Sequence, residues 1–288
     1  MHKFIFFKLI MESYRQWIDD RASRLGAALA YYTIFSVAPL FIIAVAVSAF
    51  FLGEAASKGH LAQVLQDTVG QQAATAIQDI VKNASRPRTG IIASAVGLVL
   101  LLYGASNIFI QLRGSLDTIW NLPPKTSSTW LGFFLNYIIS LAVVIMVGFL
   151  LFVSAFLTTA ISVVGHWFSD LLPFSAILFA LINHVASFAL VTALFALIYK
   201  YIPDARVNWR PVWVGALMSS FLFAIGKWAL AFYLSRGTVT NAYGAAGSLV
   251  VLLIWVNYSS QIFFFGAEFA EAYAKHKGLK ITRRSENQ

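Results

Sequence analysis

A chain of 288 residues that is 59% hydrophobic and only 11% charged is not a soluble domain, since soluble domains carry about 25% charged residues. Its apolar residues come in long runs, which marks an integral membrane protein with one membrane domain. No cysteine is present, which excludes disulfides, a thiol nucleophile and a cysteine metal site; the net charge of +9 bears on orientation and anionic lipid before nucleic acid.

Residues 1–25 open with an apolar run, Phe4 to Met11, too short to span a bilayer and followed by no small-residue cleavage site, so a signal peptide is not expected. Phe7, Ile10, Met11, Tyr14, Trp17 and Ile18 recur at helical spacing with charges between them. This pattern predicts an amphipathic helix in the membrane interface, with a short helix packed on the bundle's end as the equal alternative. The first span is expected at 26–52, kinked by Pro39. Residues 53–89 read as an extracytoplasmic amphipathic connection, too short for an enzyme domain of its own. A second span at 90–112 leads into a polar connection from Arg113 to Trp130 that contains Pro123-Pro124. The third span, 131–163, is unusually long. The fourth covers 174–199 with Asn183 and His184 inside it; the fifth covers 211–234 and contains Lys227.

The closing stretch, Asn241 to Tyr273, holds a sixth apolar run, Leu249 to Phe265. At 100° per residue Asn257, Gln261, Glu268 and Glu271 fall in one narrow arc. Such groups are costly in lipid, so the arc is expected to face protein or water. The fold class expected is therefore all-α: a polytopic membrane protein with six transmembrane helices in 26–273, an N-terminal interfacial amphipathic helix in 1–25, and a basic cytoplasmic tail in 274–288. An even count puts both basic termini on one side, with Arg113, Lys200, Arg206 and Arg210. The opposite side holds only Lys58, Lys82, Arg86, Arg88 and Arg236, so both termini are expected in the cytoplasm.

Two polar groupings stand out. Lys227, His184 and Asn183 are expected at similar depth near the outer face, where they would suit an anionic headgroup or a proton; a snorkelling lysine explains Lys227 as well. With Asn257 and Gln261 they make the candidate polar site in the membrane. Near the cytoplasmic ends, Asn107, Gln111, Arg113, Asp117, Asn136, Gln261, Glu268 and Glu271 are expected to form an inner gate of charge pairs or an ordinary interfacial network. Catalytic signatures are missing: no HExxH, no GxSxG, no phosphate-binding lysine loop, and acidic residues scattered rather than paired for metal. No catalytic residue, cofactor or metal is expected.

The sequences ALAYYTIFSVAPL, YIPDARVNWRPVWVGAL and YGAAGSLVVLLIWVNYSSQIFFFGAEF resemble the YihY/BrkB family of bacterial inner-membrane proteins over nearly the whole chain. The markers are Ala30-Tyr31-Tyr32, Ser36, Pro39, Pro203, Gly215-Ala216, Tyr243-Gly244, Trp255 and Gly266-Ala267-Glu268. Asn257 departs from the aromatic residue usual in that family two positions after the tryptophan. The resemblance implies six transmembrane helices and a cytoplasmic-membrane location. It brings an old ribonuclease BN label, a virulence-factor label and links to the transport of lipid-like molecules. The ribonuclease label conflicts with the lack of a soluble catalytic domain. A transporter or lipid-handling protein is expected, not an enzyme, and the alternative is a non-transporting scaffold or envelope-assembly factor. The expected partners are membrane lipids, anionic ones among them, with no nucleic acid; homo-oligomerisation is left open.

Overall fold

The computed structural model describes residues 2–34, 107–123, 175–235 and 247–283, with 66, 71, 74, 75, 77 and 78 as isolated positions. The expected third span with Asn136, the Pro39 kink and most of 53–89 lie outside the described residues.

Four long helices organise what is described: α1 (His2–Asp19), α2 (Ser175–Tyr201), α3 (Trp209–Ser235) and α4 (Gly247–His276). By length and composition three stretches suit a membrane crossing: His184–Tyr201 in α2, Trp209–Leu230 in α3 and Leu249–His276 in α4. They fall on the expected fourth, fifth and sixth spans. Helical residues 22–34 begin the expected first span.

Residues 107–119 are also helical, which corrects the polar connection expected from Arg113. The reason is a second face. Leu112, Leu116, Ile119 and Trp120 recur at helical spacing, and the last three are fully buried in the main core. Arg113 and Asp117 mark only its polar face.

Helix ends follow local rules. Pro211 sits in the first turn of α3, where the missing N–H removes no helical bond, and Asn208 precedes it. Arg21 (φ 50°) follows α1 in the left-handed region, and two further helices end on such a residue: Asn121 (φ 51°) and Gly278 (φ 68°). In these two cases the next N–H reaches back five residues, Leu122 to the Asp117 carbonyl at 3.0 Å and Leu279 to the Ala274 carbonyl at 2.9 Å. After Gly278 the chain reverses. A short strand β2 (Thr282–Arg283) pairs antiparallel with β1 (Ala205–Arg206) from the loop between α2 and α3, with Ala205 opposite Arg283.

The main core lies where α2, α3 and α4 cross. Tyr199, fully buried on α2, donates from its hydroxyl to the Phe263 carbonyl of α4 at 2.5 Å. That uses its only proton, so Ser219 of α3 donates to Tyr199 Oη at 2.7 Å. Around this node Phe195 stacks on Tyr199, and the Phe263 ring packs tilted against both. Small residues permit the approach: a Cβ on Gly215 would lie 2.5 Å from the Gly266 carbonyl oxygen, and one on Gly266 would lie 1.7 Å from Ser219 Oγ.

Helix α1 crosses the end of α4. Leu9 packs with Phe269 and Ala272, and the Phe6 ring meets Phe269 edge-on at 5.9 Å. Phe7, Met11, Tyr14 and Ile18 form an exposed stripe on another face. The apolar positions expected on one face are thus divided. Ile10 and Trp17 pack inward, and the stripe stays uncovered among the described residues.

Candidate functional site

The described polar groups converge at one end of the bundle, where α2 ends, α3 begins and α4 ends. Two clusters meet there.

The first is a charge-balanced clasp. Arg113 Nη2 lies 3.0 Å from Asp204 Oδ2. The Asp204 backbone N–H donates to Asp117 Oδ1 at 3.0 Å. Arg283, carried in by β2, lies 3.5 Å from both Asp117 and Asp204 carboxylates and donates to the Pro123 carbonyl. These four side chains are only 10–20% exposed. Burial pushes the Asp117 carboxyl above its ordinary range, against the pull of the Asp204 N–H, Arg113 and Arg283. Two cations against two anions, joined by one backbone donor and one backbone acceptor, tie helix 107–119, the loop after α2 and the chain's tail together. Beside the clasp, Lys200 donates to the Val207 carbonyl and lies over the Trp209 ring at 5.4 Å.

The second cluster is acidic in excess. Glu271 is 4% exposed; its Oε1 sits 3.0 Å from Lys275 Nζ and accepts from Asn121 Nδ2 at 3.4 Å. Glu268, one turn earlier, is 0% exposed. Among the described residues neither of its oxygens meets a donor, and Glu271 Oε2 also lacks one. The polar neighbour of Glu268 is another carboxyl, Asp20, in the turn after α1. The Trp120 indole donates to the adjacent Ala267 carbonyl at 3.2 Å.

Further along α4, Gln261 Nε2 lies 3.4 Å from Asn257 Oδ1 and 3.5 Å from the Ser23 carbonyl. A Cβ on Gly26 would lie 3.1 Å from Gln261 Nε2 and 3.3 Å from Asn257 Oδ1. The polar arc of α4 therefore faces helical residues 22–34 and the α1 turn.

Not every expected grouping assembles. Among the described residues Gln111 donates to Ser115 on its own helix, at 3.3 Å, and Asn107 is half-buried on the same helix. Lys227 is half-buried on α3 and His184 is exposed on α2; Asn183 belongs to α2, its side chain outside the description. The Tyr199–Ser219 bond and the Phe195–Phe223 ring contact set the antiparallel register of α2 and α3. That register puts Lys227 level with Val191, so His184 lies about 10 Å farther along the axis at 1.5 Å per residue. Asp20, Asn121, Asp204, Lys275 and Arg283 were missed. Lys275 carried a signal in its four-residue spacing from Glu271; the others have partners far away in the chain, 150 residues for Asn121 and 166 for Arg283. Among the described residues no three His, Asp or Glu side chains converge as metal ligands.

Comparisons with known proteins point to a family of membrane proteins. The family described as "Virulence factor BrkB" matches residues 13–288. A UPF0761 membrane protein of Mannheimia succiniciproducens is 26% identical over 285 residues, covering 93% of this chain and 90% of the relative. UPF0761 membrane proteins of Xanthomonas campestris and Legionella pneumophila are 26% and 27% identical over 90% and 91% of this chain. This chain spans 59% and 61% of those longer proteins. No solved structure matches.

Proposed function

Because the chain belongs to the BrkB family of membrane proteins, we propose that it is a bacterial inner-membrane transporter or lipid-handling protein whose closing helix lines the working interior. One observation carries this reading. The polar arc of α4 (Asn257, Gln261, Glu268, Glu271) turns to helical residues 22–34, the α1 turn and Asn121. Ionisable groups on a spanning helix are expensive in lipid and mark pathways when they face the bundle. In this reading six spans cross the membrane with both termini inside, by the excess of Lys and Arg on that side. The two polar clusters then close the cytoplasmic end as an inner gate. The exposed stripe Phe7, Met11, Tyr14 and Ile18 lies in the membrane interface, with Lys8 and Arg15 near the headgroups.

The clasp supports a second reading. Four charges locked with a backbone N–H and a backbone carbonyl suit a rigid scaffold that moves nothing. Reconstitution separates the two. The purified protein is placed in liposomes of anionic and zwitterionic phospholipid with a fluorescent lipid analogue, and co-purified lipid is identified by mass spectrometry. Transfer above protein-free liposomes, weakened in Asn257→Leu and Gln261→Leu, is expected. Transfer equal to empty liposomes, with no lipid retained, would favour the scaffold.

A further inference from the structure

The Glu268 carboxyl is fully buried with both oxygens lacking a donor among the described residues. A carboxylate in that position is expensive. Lys275 already serves Glu271, which also takes the Asn121 amide. What faces Glu268 is the Asp20 carboxyl. Two carboxylates cannot hydrogen-bond each other; a carboxyl and a carboxylate can, strongly, through one shared proton. We propose that Asp20 and Glu268 form a proton-binding pair, in which one proton held between them at neutral pH latches the α1 turn to the end of α4 and its loss releases that turn.

The charged groups around the pair, among the described residues, are few. The α1 end brings Asp19 and Asp20; α4 brings Glu271 and Lys275. Helix 107–119 and its turn add Asn121, committed to Glu271. Of the charged groups acting on the pair, Asp19 and Glu271 are anionic and Lys275 is cationic, while Arg21 and Arg24 beyond Asp20 are exposed; the cluster lacks positive charge, and a proton supplies it. Burial also pushes the Asp20 carboxyl above its ordinary range, against the opposing effects of the neighbouring Glu268 carboxyl and Lys275. A site that binds a proton more tightly in the latched than in the released form must loosen as pH rises. The inference goes beyond the proposed transport role and does not depend on it, since a scaffold would carry the same latch.

The test uses the full chain in lipid nanodiscs. Infrared difference spectroscopy reads the protonated-carboxyl C=O stretch as pH is raised. The wild type is expected to show a band at neutral pH that vanishes in base, and Glu268→Gln to lack it. The chain has no native cysteine, so spin labels at Arg15→Cys and Lys277→Cys report the distance between α1 and the end of α4. That distance should lengthen with the band's loss in wild type and stay short at all pH in Glu268→Gln, which mimics the protonated side chain. A wild type with no carboxyl band at neutral pH overturns the proposal, even if the variant fails to fold. A wild-type distance that follows sodium or potassium rather than pH overturns it too, in favour of a cation site.

Discussion

At the scale of single residues the tightest constraints are glycines and one tyrosine. Gly266→Ala would drive a methyl to 1.7 Å from Ser219 Oγ, 2.8 Å from Tyr199 Oη and 2.9 Å from the Gly215 carbonyl oxygen. Overpacking of this kind costs about 1–3 kcal/mol, so a lower melting temperature in detergent is expected. Ser219→Gly on that background should recover part of the loss and not all, because the tyrosine and the backbone still obstruct; full recovery would mean the helices simply shift apart. Asn121 combines two roles that substitution separates. Asn121→Gly keeps the left-handed turn and loses the amide to Glu271, whereas Asn121→Ala loses both. Alanine should therefore be the more destabilising by about 1 kcal/mol, measured by the same melting experiment. Lys227 and His184 are expected to act independently. A double-mutant cycle on Lys227→Met and His184→Ala in a folding or function assay should add within about 0.5 kcal/mol, and strong coupling would contradict the register of α2 and α3.

At the scale of elements, the tail strand β2 joins the core through a side chain that sequence does not flag. Arg283 reads as one more basic residue of a solvated tail; in the structure it reaches Asp117, Asp204 and the Pro123 carbonyl. Arg283→Ala should speed amide exchange in residues 202–206, with little change in α2, because Arg113 still holds Asp204 from the other side. Unchanged exchange in the loop would show that the clasp is ornamental there. The α4 arc was legible because a 3.6-residue period brings Asn257, Gln261, Glu268 and Glu271 together within one helix. The clasp was legible in half: Arg113 and Asp117 stood out among the charges expected near the cytoplasmic ends, but Asp204 and Arg283 did not, because an ion pair between a loop, a helix and a tail leaves no periodic trace. Helix 107–119 was half legible: its charges read as a connection, while Leu116, Ile119 and Trp120 supplied the apolar face that buries it.

At the scale of the whole molecule, three antiparallel helices, α2 to α4, bring the loop after α2, the start of α3 and the end of α4 to the same end, and α1 crosses there. The six-span reading extends that arrangement to a protein with both termini inside. Single cysteines at Ser57 and Ser285 should then label from opposite sides of the membrane, and labelling from one side would refute it. The central claim is that α4 turns its polar arc inward against helical residues 22–34. Disulfide trapping in native membranes tests it most directly. Gly26→Cys with Gln261→Cys should cross-link on mild oxidation, since a Cβ on Gly26 lies 3.5 Å from the Gln261 Cδ. Gly26→Cys with Phe263→Cys should not, because Phe263 faces Tyr199 on α2. Cross-linking through position 263 and not through 261 would place the polar arc elsewhere and contradict the account.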